Sequence, residues 1–218
     1  MHISIDPAKS ALVIIDMQRD FCAPGGYADH AGLDVSRLRA PIPAIQRLLA
    51  VARQAGMLVV FTREGHLPDL SDCPPAKLAR SAMAGARIGS IGPLGRLLIR
   101  GEYGQDLIPE CEPWPGEITI DKPGYSAFKQ TGLDELLHWY GISQLLLCGV
   151  TTEVCVHSTL REAIDRGYQC LTVADACAGN DPALHEAALR MISLEGGIFG
   201  DVGSSEDVVK LLCRRSAA

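Results

Sequence analysis

Three side chains in this sequence are of the types, and in the places, that could carry covalent chemistry on a carbonyl group: Cys155, Asp16 and Lys122. Cys155 stands in GVTTEVCVHSTLREAIDRG, after an apolar run and at the head of a helical pattern. Unpaired backbone N–H groups and the positive end of the helix dipole favour a thiolate there, and the same N–H groups can hold an oxyanion once the sulfur attacks. Asp16 closes the apolar run ALVII. A carboxylate at the carboxyl end of a buried strand is partly desolvated, which raises its pKa towards values useful for proton transfer. Lys122 follows EITID, where an ammonium can orient a carboxylate, steady a thiolate or polarise a carbonyl. Each has a bland alternative: an inert buried cysteine (as expected for Cys148, Cys170 and Cys177), a capping aspartate (as expected for Asp20) and a solvated loop lysine. What favours function is that all three fall at the end of a strand.

Those strands belong to a regular alternation. Short apolar runs near Ala11–Asp16, Met57–Thr62, Glu117–Asp121, Gln144–Val150, Tyr168–Ala174 and Ile198–Val202 are separated by helical patterns, the signature of βαβ units and a parallel sheet. Helices are expected at Pro41–Ala55, Leu133–Tyr140, Val154–Arg166, Pro182–Leu194 and Ser205–Cys213, with Gly56 and Gly167 as caps. Residues 63–116 break the alternation with many Gly and Pro. A connection of that length is expected to form an active-site wall and an oligomer interface. No repeat or linker divides the chain, so residues 1–218 read as one domain.

Composition narrows the function classes. Twenty basic against 26 acidic side chains give a net charge of -6, with no basic cluster to attract nucleic acid. No apolar stretch reaches the ~20 residues of a membrane span, and the N-terminus has no secretory pattern. The eight cysteines are scattered without a C-x-x-C pair, so reduced thiols in the cytoplasm are expected.

The Asp16 strand motif, Lys-x-x-x-Ser-Ala-Phe at Lys122 to Phe128 and G-V-T-T-E-V-C-V together resemble the isochorismatase-like cysteine hydrolases, over nearly the whole chain. DFCAPGGYADH, TREGHLPDL, RGEYGQDLIPE and EGGIFGDV are most similar to the biuret hydrolase branch. The resemblance implies a three-layer, doubly wound, six-stranded parallel sheet ordered 3-2-1-4-5-6, with strands one and four meeting at the switch point where a ligand crevice is expected. It also implies a cis peptide at Val150–Thr151, with the N–H groups of Thr151 and Cys155 as the oxyanion hole. Asp16 would take the thiol proton and return it to the leaving nitrogen, Lys122 would keep Asp16 and substrate oriented, and Phe21 and Phe128 would line a small, flat pocket. A homo-oligomer, tetramer or dimer, is implied too.

Two departures from family patterns matter. Nicotinamidases bind a metal through Asp-x-His and a further His, whereas this chain has Glu64, His66 and Leu70 in those places, too poor a ligand set. No metal or other cofactor is expected, and His66 reads as a loop-fixing residue. Biuret hydrolases carry glutamine before Gly-Gly-x-Phe-Gly, whereas this chain has Glu195. An ionised Glu195 would receive a cationic donor group such as that of guanylurea. The expected reaction is therefore cysteine-dependent C–N hydrolysis of a small urea-type amide (biuret, triuret or guanylurea) with release of ammonia. Ureidoacrylate or nicotinamide is the alternative substrate. Isochorismatase itself works without a cysteine nucleophile, a non-catalytic flavodoxin-like protein leaves the three side chains unexplained, and a redox sensor lacks a resolving cysteine near Cys155.

Overall fold

The computed structural model describes residues 4–215. Its centre is a six-stranded, wholly parallel sheet: β1 (Ser10–Ile15), β2 (Leu58–Glu64), β3 (Ile118–Lys122), β4 (Gln144–Val150), β5 (Gln169–Ala178) and β6 (Asp201–Gly203). The order is β3-β2-β1-β4-β5-β6, as expected. Every residue of β1 and β4 is buried, because the two central strands are covered on both faces; the outer strand β3 is mostly half-exposed.

Helices α1 (Ile42–Gln54), α2 (Pro75–Met83), α3 (Leu133–Trp139), α4 (His157–Asp165), α5 (Pro182–Ile192) and α6 (Ser205–Arg215) complete the layers. Strand order runs one way from β1 to β3 and the other way from β4 to β6, so right-handed crossovers put α1 and α4 on opposite faces. α1 packs against α6. Its apolar stripe Ile45, Leu48, Leu49 and Ala52 is buried as the periodicity requires, and Gly56 ends it at φ +65°.

Three boundaries differ from expectation. The fifth strand runs on to Ala178, because a register shift beside Leu147–Gly149 lets it keep pairing with the end of β4 past the polar Asp175. The sixth is Asp201–Gly203, later and shorter than Ile198–Val202. The helix expected from Val154 starts at His157, after a π-helical turn Thr152–Val156 that holds Cys155. Within the irregular 63–116 segment, regular structure is confined to the end of β2, α2, a small antiparallel pair, Ile91–Gly92 with Gly95–Arg96, and a 3-10 turn at Pro109–Cys111. No described helix is long and apolar enough to cross a membrane.

Candidate active site

Parallel pairing brings the carboxyl ends of four neighbouring strands together, and each delivers one reactive side chain. Glu64 ends β2 and Lys122 ends β3, directly opposite each other in register. Asp16 follows β1 in the left-handed region, φ +53°, a backbone state uncommon outside glycine and concentrated at functional sites. Cys155 sits in the π turn after β4. The close approach of β4 to β1 needs Gly149: a Cβ there would lie 2.0 Å from the carbonyl oxygen of Ile15.

The result is a buried cluster of charges. Lys122 Nζ lies 2.7 Å from Asp16 Oδ2 and 3.4 Å from Glu64 Oε2, and donates to the Gly124 carbonyl at 2.9 Å. Thr62 donates to Asp16 Oδ1 at 2.7 Å, whereas Oδ2 faces the Lys122 ammonium. The Cys155 thiol donates to Glu64 Oε2 at 3.3 Å, and its sulfur and the two carboxylates lie within 4.8 Å of one another. Lys77, on α2, pairs with Glu64 Oε1 at 2.6 Å and donates to the Pro123 carbonyl at 2.7 Å.

Two cations and two carboxylates divide the titration behaviour. Burial raises the Asp16 carboxyl above its ordinary value against the pull of Lys122, and Glu64 adds to the rise. Burial also acts to raise Glu64, but Lys122 and Lys77 together outweigh it and hold that carboxyl below its usual range. Lys122 stays protonated, because Asp16, Cys155 and Glu64 overcome its desolvation. The thiol corrects a sequence expectation. Burial pushes Cys155 well above the ordinary cysteine value; Lys122 works against the rise, and Asp16 and Glu64 increase it. The resting sulfur is a neutral thiol, so its proton must leave as it attacks.

Above the cluster lies a cavity of about 330 Å³. Cys155, Thr151 and Val154 line it together with the aromatic rings of Phe21, Tyr27 and Tyr125, the cations Lys77 and Arg80, and Glu64. Phe21 packs edge-on against Tyr27, 5.9 Å between centroids, and Tyr125 lies 4.9 Å from Lys77 Nζ. Asp16 and Lys122 are fully buried beneath Cys155. The Val150–Thr151 peptide is cis, with Val150 buried at the end of β4 and Thr151 in the cavity wall.

Two expected contacts are not made. Phe128 faces away from the cavity: its ring stacks on Tyr168 at 5.9 Å and lies under the Arg166 guanidinium. The motif that contains it links the Lys122 loop to the nucleophile turn instead. Thr159 accepts from the Ala127 N–H at 3.0 Å and donates to the Cys155 carbonyl at 2.7 Å. Glu195 is exposed in a turn after α5, at φ +49°, outside the cavity walls. It has no place in the substrate contact proposed for it.

Sequence reading missed three contributors. Glu64 is an acid closing an apolar strand, the same signal that marks Asp16, although the family pattern casts its position as that of a metal ligand. Gln18 clamps it: the Gln18 amide accepts from Glu64 N–H at 2.7 Å and donates to the Glu64 carbonyl at 2.8 Å. Lys77 lies in the irregular segment, where nothing local separates it from a solvated lysine. A metal fits poorly here. Both Glu64 oxygens face ammonium groups, and the Nδ1 of His66 is engaged by Asp72 at 3.2 Å, fixing its loop.

The family model described as "Isochorismatase domain" matches residues 10–207. The chain belongs to the isochorismatase family. A ureidoacrylate amidohydrolase RutB of Serratia proteamaculans is 36% identical over 207 residues, 93% of this chain and 83% of that protein. One from Methylorubrum extorquens is 37% identical over 209 residues, 94% and 84% of the two chains. Among solved structures, a cysteine hydrolase from Pseudomonas syringae pv. phaseolicola has a TM-score of 0.83 at 25% identity, covering 100% of this chain and 97% of its own. N-carbamoylsarcosine amidase from Thermoplasma acidophilum has a TM-score of 0.69 at 25% identity, covering 91% and 97%. The two curated relatives above are named ureidoacrylate amidohydrolases, not biuret hydrolases.

Proposed function

We propose that the chain hydrolyses the C–N bond of a small ureido compound bearing a carboxylate, with ureidoacrylate the first candidate, and that Cys155, Asp16 and Lys122 do the chemistry. The observation that carries this reading is the composition of the cavity: the nucleophile Cys155, with Asp16 buried within reach of its sulfur, shares its lining with the cations Lys77 and Arg80. Arg80 is exposed and makes no ion pair among the described residues, so its charge is available to an anion.

In this mechanism the Cys155 proton passes to Asp16 as the sulfur bonds to the ureido carbonyl carbon and the carbonyl electron pair moves to oxygen. The N–H groups of Thr151 and Cys155 receive that oxyanion. Asp16 hands its proton to the leaving nitrogen, the C–N bond breaks and a carbamoyl thioester remains. Asp16 then takes a proton from water, the resulting hydroxide equivalent displaces the sulfur, and the thiol is re-formed. The carbamate released breaks down to ammonia and carbon dioxide. Lys122 stays positive throughout and holds the Asp16 carboxylate against the reacting atoms.

Biuret, triuret and guanylurea share the ureido carbonyl but lack the carboxylate, and guanylurea has also lost its expected partner in Glu195. Turnover of ureidoacrylate, biuret, triuret, guanylurea and nicotinamide should be compared in wild type and Arg80→Ala. Ureidoacrylate should be preferred, with KM rising about tenfold in the variant and neutral substrates unaffected. Equal or better use of biuret by wild type would overturn the carboxylate reading.

A further inference from the structure

We propose that Glu64, with Lys77 as its counter-ion, receives the N–H donors of the ureido group and restrains the Cys155 thiol until those donors arrive. The inference rests on the ureido reading above and extends it to the residue that recognises the group being cleaved.

Glu64 is the one carboxylate lining the cavity among the described residues. Its two oxygens do different work. Oε1 is tied to Lys77, itself buried and anchored on the Pro123 carbonyl. Oε2 lies between the Lys122 ammonium and the Cys155 thiol, which donates to it. Gln18 fixes the main chain of Glu64, and Lys77 and Lys122 hold its two carboxylate oxygens.

In a ureido group the nitrogen is bonded to the carbon that the sulfur attacks. A substrate that places this carbon on Sγ therefore brings its N–H towards the oxygen 3.3 Å from that sulfur. The substrate N–H replaces the S–H on Oε2, and the displaced thiol proton turns to Asp16. No proton passes to Glu64. Its negative charge, which opposes a thiolate, is then partly satisfied by the incoming donor. An ester, or a ureido group with that nitrogen fully alkylated, lacks the donor and leaves the thiol held. The ionisable groups facing the sulfur are Asp16, Glu64 and Lys122 from the strand ends, Lys77 from α2 and Tyr27 across the cavity.

The test has a substrate-free arm and a kinetic arm. The rate of Cys155 carboxamidomethylation by iodoacetamide is followed by peptide mass between pH 8 and 10, with the exposed Cys213 as internal reference. Glu64→Gln removes a negative charge beside the sulfur and should speed labelling about tenfold or more, one pKa unit of thiol being tenfold in thiolate. Lys77→Met strips Glu64 of its counter-ion and should slow it. Opposite signs from the two halves of one ion pair are not what a merely structural bridge produces. In the kinetic arm, Glu64→Gln should lower kcat/KM for the ureido substrate about 10- to 100-fold, the range for a lost charge-assisted hydrogen bond. Turnover of an ester analogue, which meets a restrained thiol in the wild type, should rise in Glu64→Gln instead of falling.

Slower or unchanged labelling in Glu64→Gln, or equal kinetic loss on both substrates, overturns the proposal. Lys77→Met supplies the labelling sign even if Glu64→Gln does not accumulate. If wild type cleaves no ureido compound, the functional reading falls, and the labelling arm still decides whether Glu64 restrains the thiol.

Discussion

Cys148 and Cys155 lie seven residues apart, one inside β4 and one in the turn that follows it, and burial pushes both thiols well above the ordinary value. Their surroundings differ. The Cys148 sulfur lies in the apolar core, where its thiol donates weakly to the Val13 carbonyl at 3.6 Å. Cys155 faces two carboxylates and an ammonium at a cavity wall. Burial disfavours the thiolate in both places; a proton acceptor and a fixed cation within reach make one of them a candidate nucleophile.

The largest contrast is expected from removing each sulfur. Cys155→Ala should lower kcat by about 10³-fold or more with a native circular dichroism spectrum, in line with loss of a covalent nucleophile. Cys148→Ala should keep activity within about twofold and cost about 1–2 kcal/mol in denaturant unfolding, the penalty of a small core cavity. Comparable activity in Cys155→Ala and wild type would erase the distinction.

The next test removes the cation. Lys122→Met keeps the bulk of the side chain but leaves Asp16 buried without its 2.7 Å partner. Unfolding experiments at pH 7 should show a loss of about 3–5 kcal/mol, as for other broken buried pairs, and activity should fall with it. The loss should shrink on acidification, when Asp16 can take up a proton and shed its uncompensated charge. A loss independent of pH would mean that the pair is not held by charge.

The smallest effect sharpens what burial does to a carboxylate that makes no ion pair among the described residues. Asp20 is buried and accepts only main-chain N–H groups, from Leu98 at 2.8 Å and Tyr27 at 3.2 Å. Burial raises its pKa from 3.8 to about 6, against those two hydrogen bonds. Between these values the folded protein holds a proton that the unfolded chain has released. Asp20 therefore stabilises the fold most below about pH 4, and that contribution is lost as pH rises through about 6. Unfolding free energies of wild type and Asp20→Asn, measured from pH 4 to 7, should show the wild-type advantage falling by about 1–3 kcal/mol over that window. An advantage that grows with pH would show that the hydrogen bonds, and not burial, dominate.

Most of the fold was legible in the amino-acid order, because strand and helix periods are local and because apolar runs such as ALVII and QLLLCGV must be covered on both faces. The positions of Asp16, Lys122 and Cys155 were legible for the same reason: a polar residue closing a buried strand stands out against what precedes it. Tertiary structure alone decided the rest. Phe128 and Glu195 sit in motifs like those of site residues, yet one packs on Tyr168 and the other faces solvent. Lys77 comes from an irregular segment, and only the docking of α2 buries it against Glu64. The state of Cys155 was likewise beyond local reasoning. The start of a helix argued for a thiolate, and two carboxylates brought from β1 and from β2, with burial, reversed that. Charge interactions in a desolvated cluster depend on distances between residues far apart in the chain, and folding alone sets those distances.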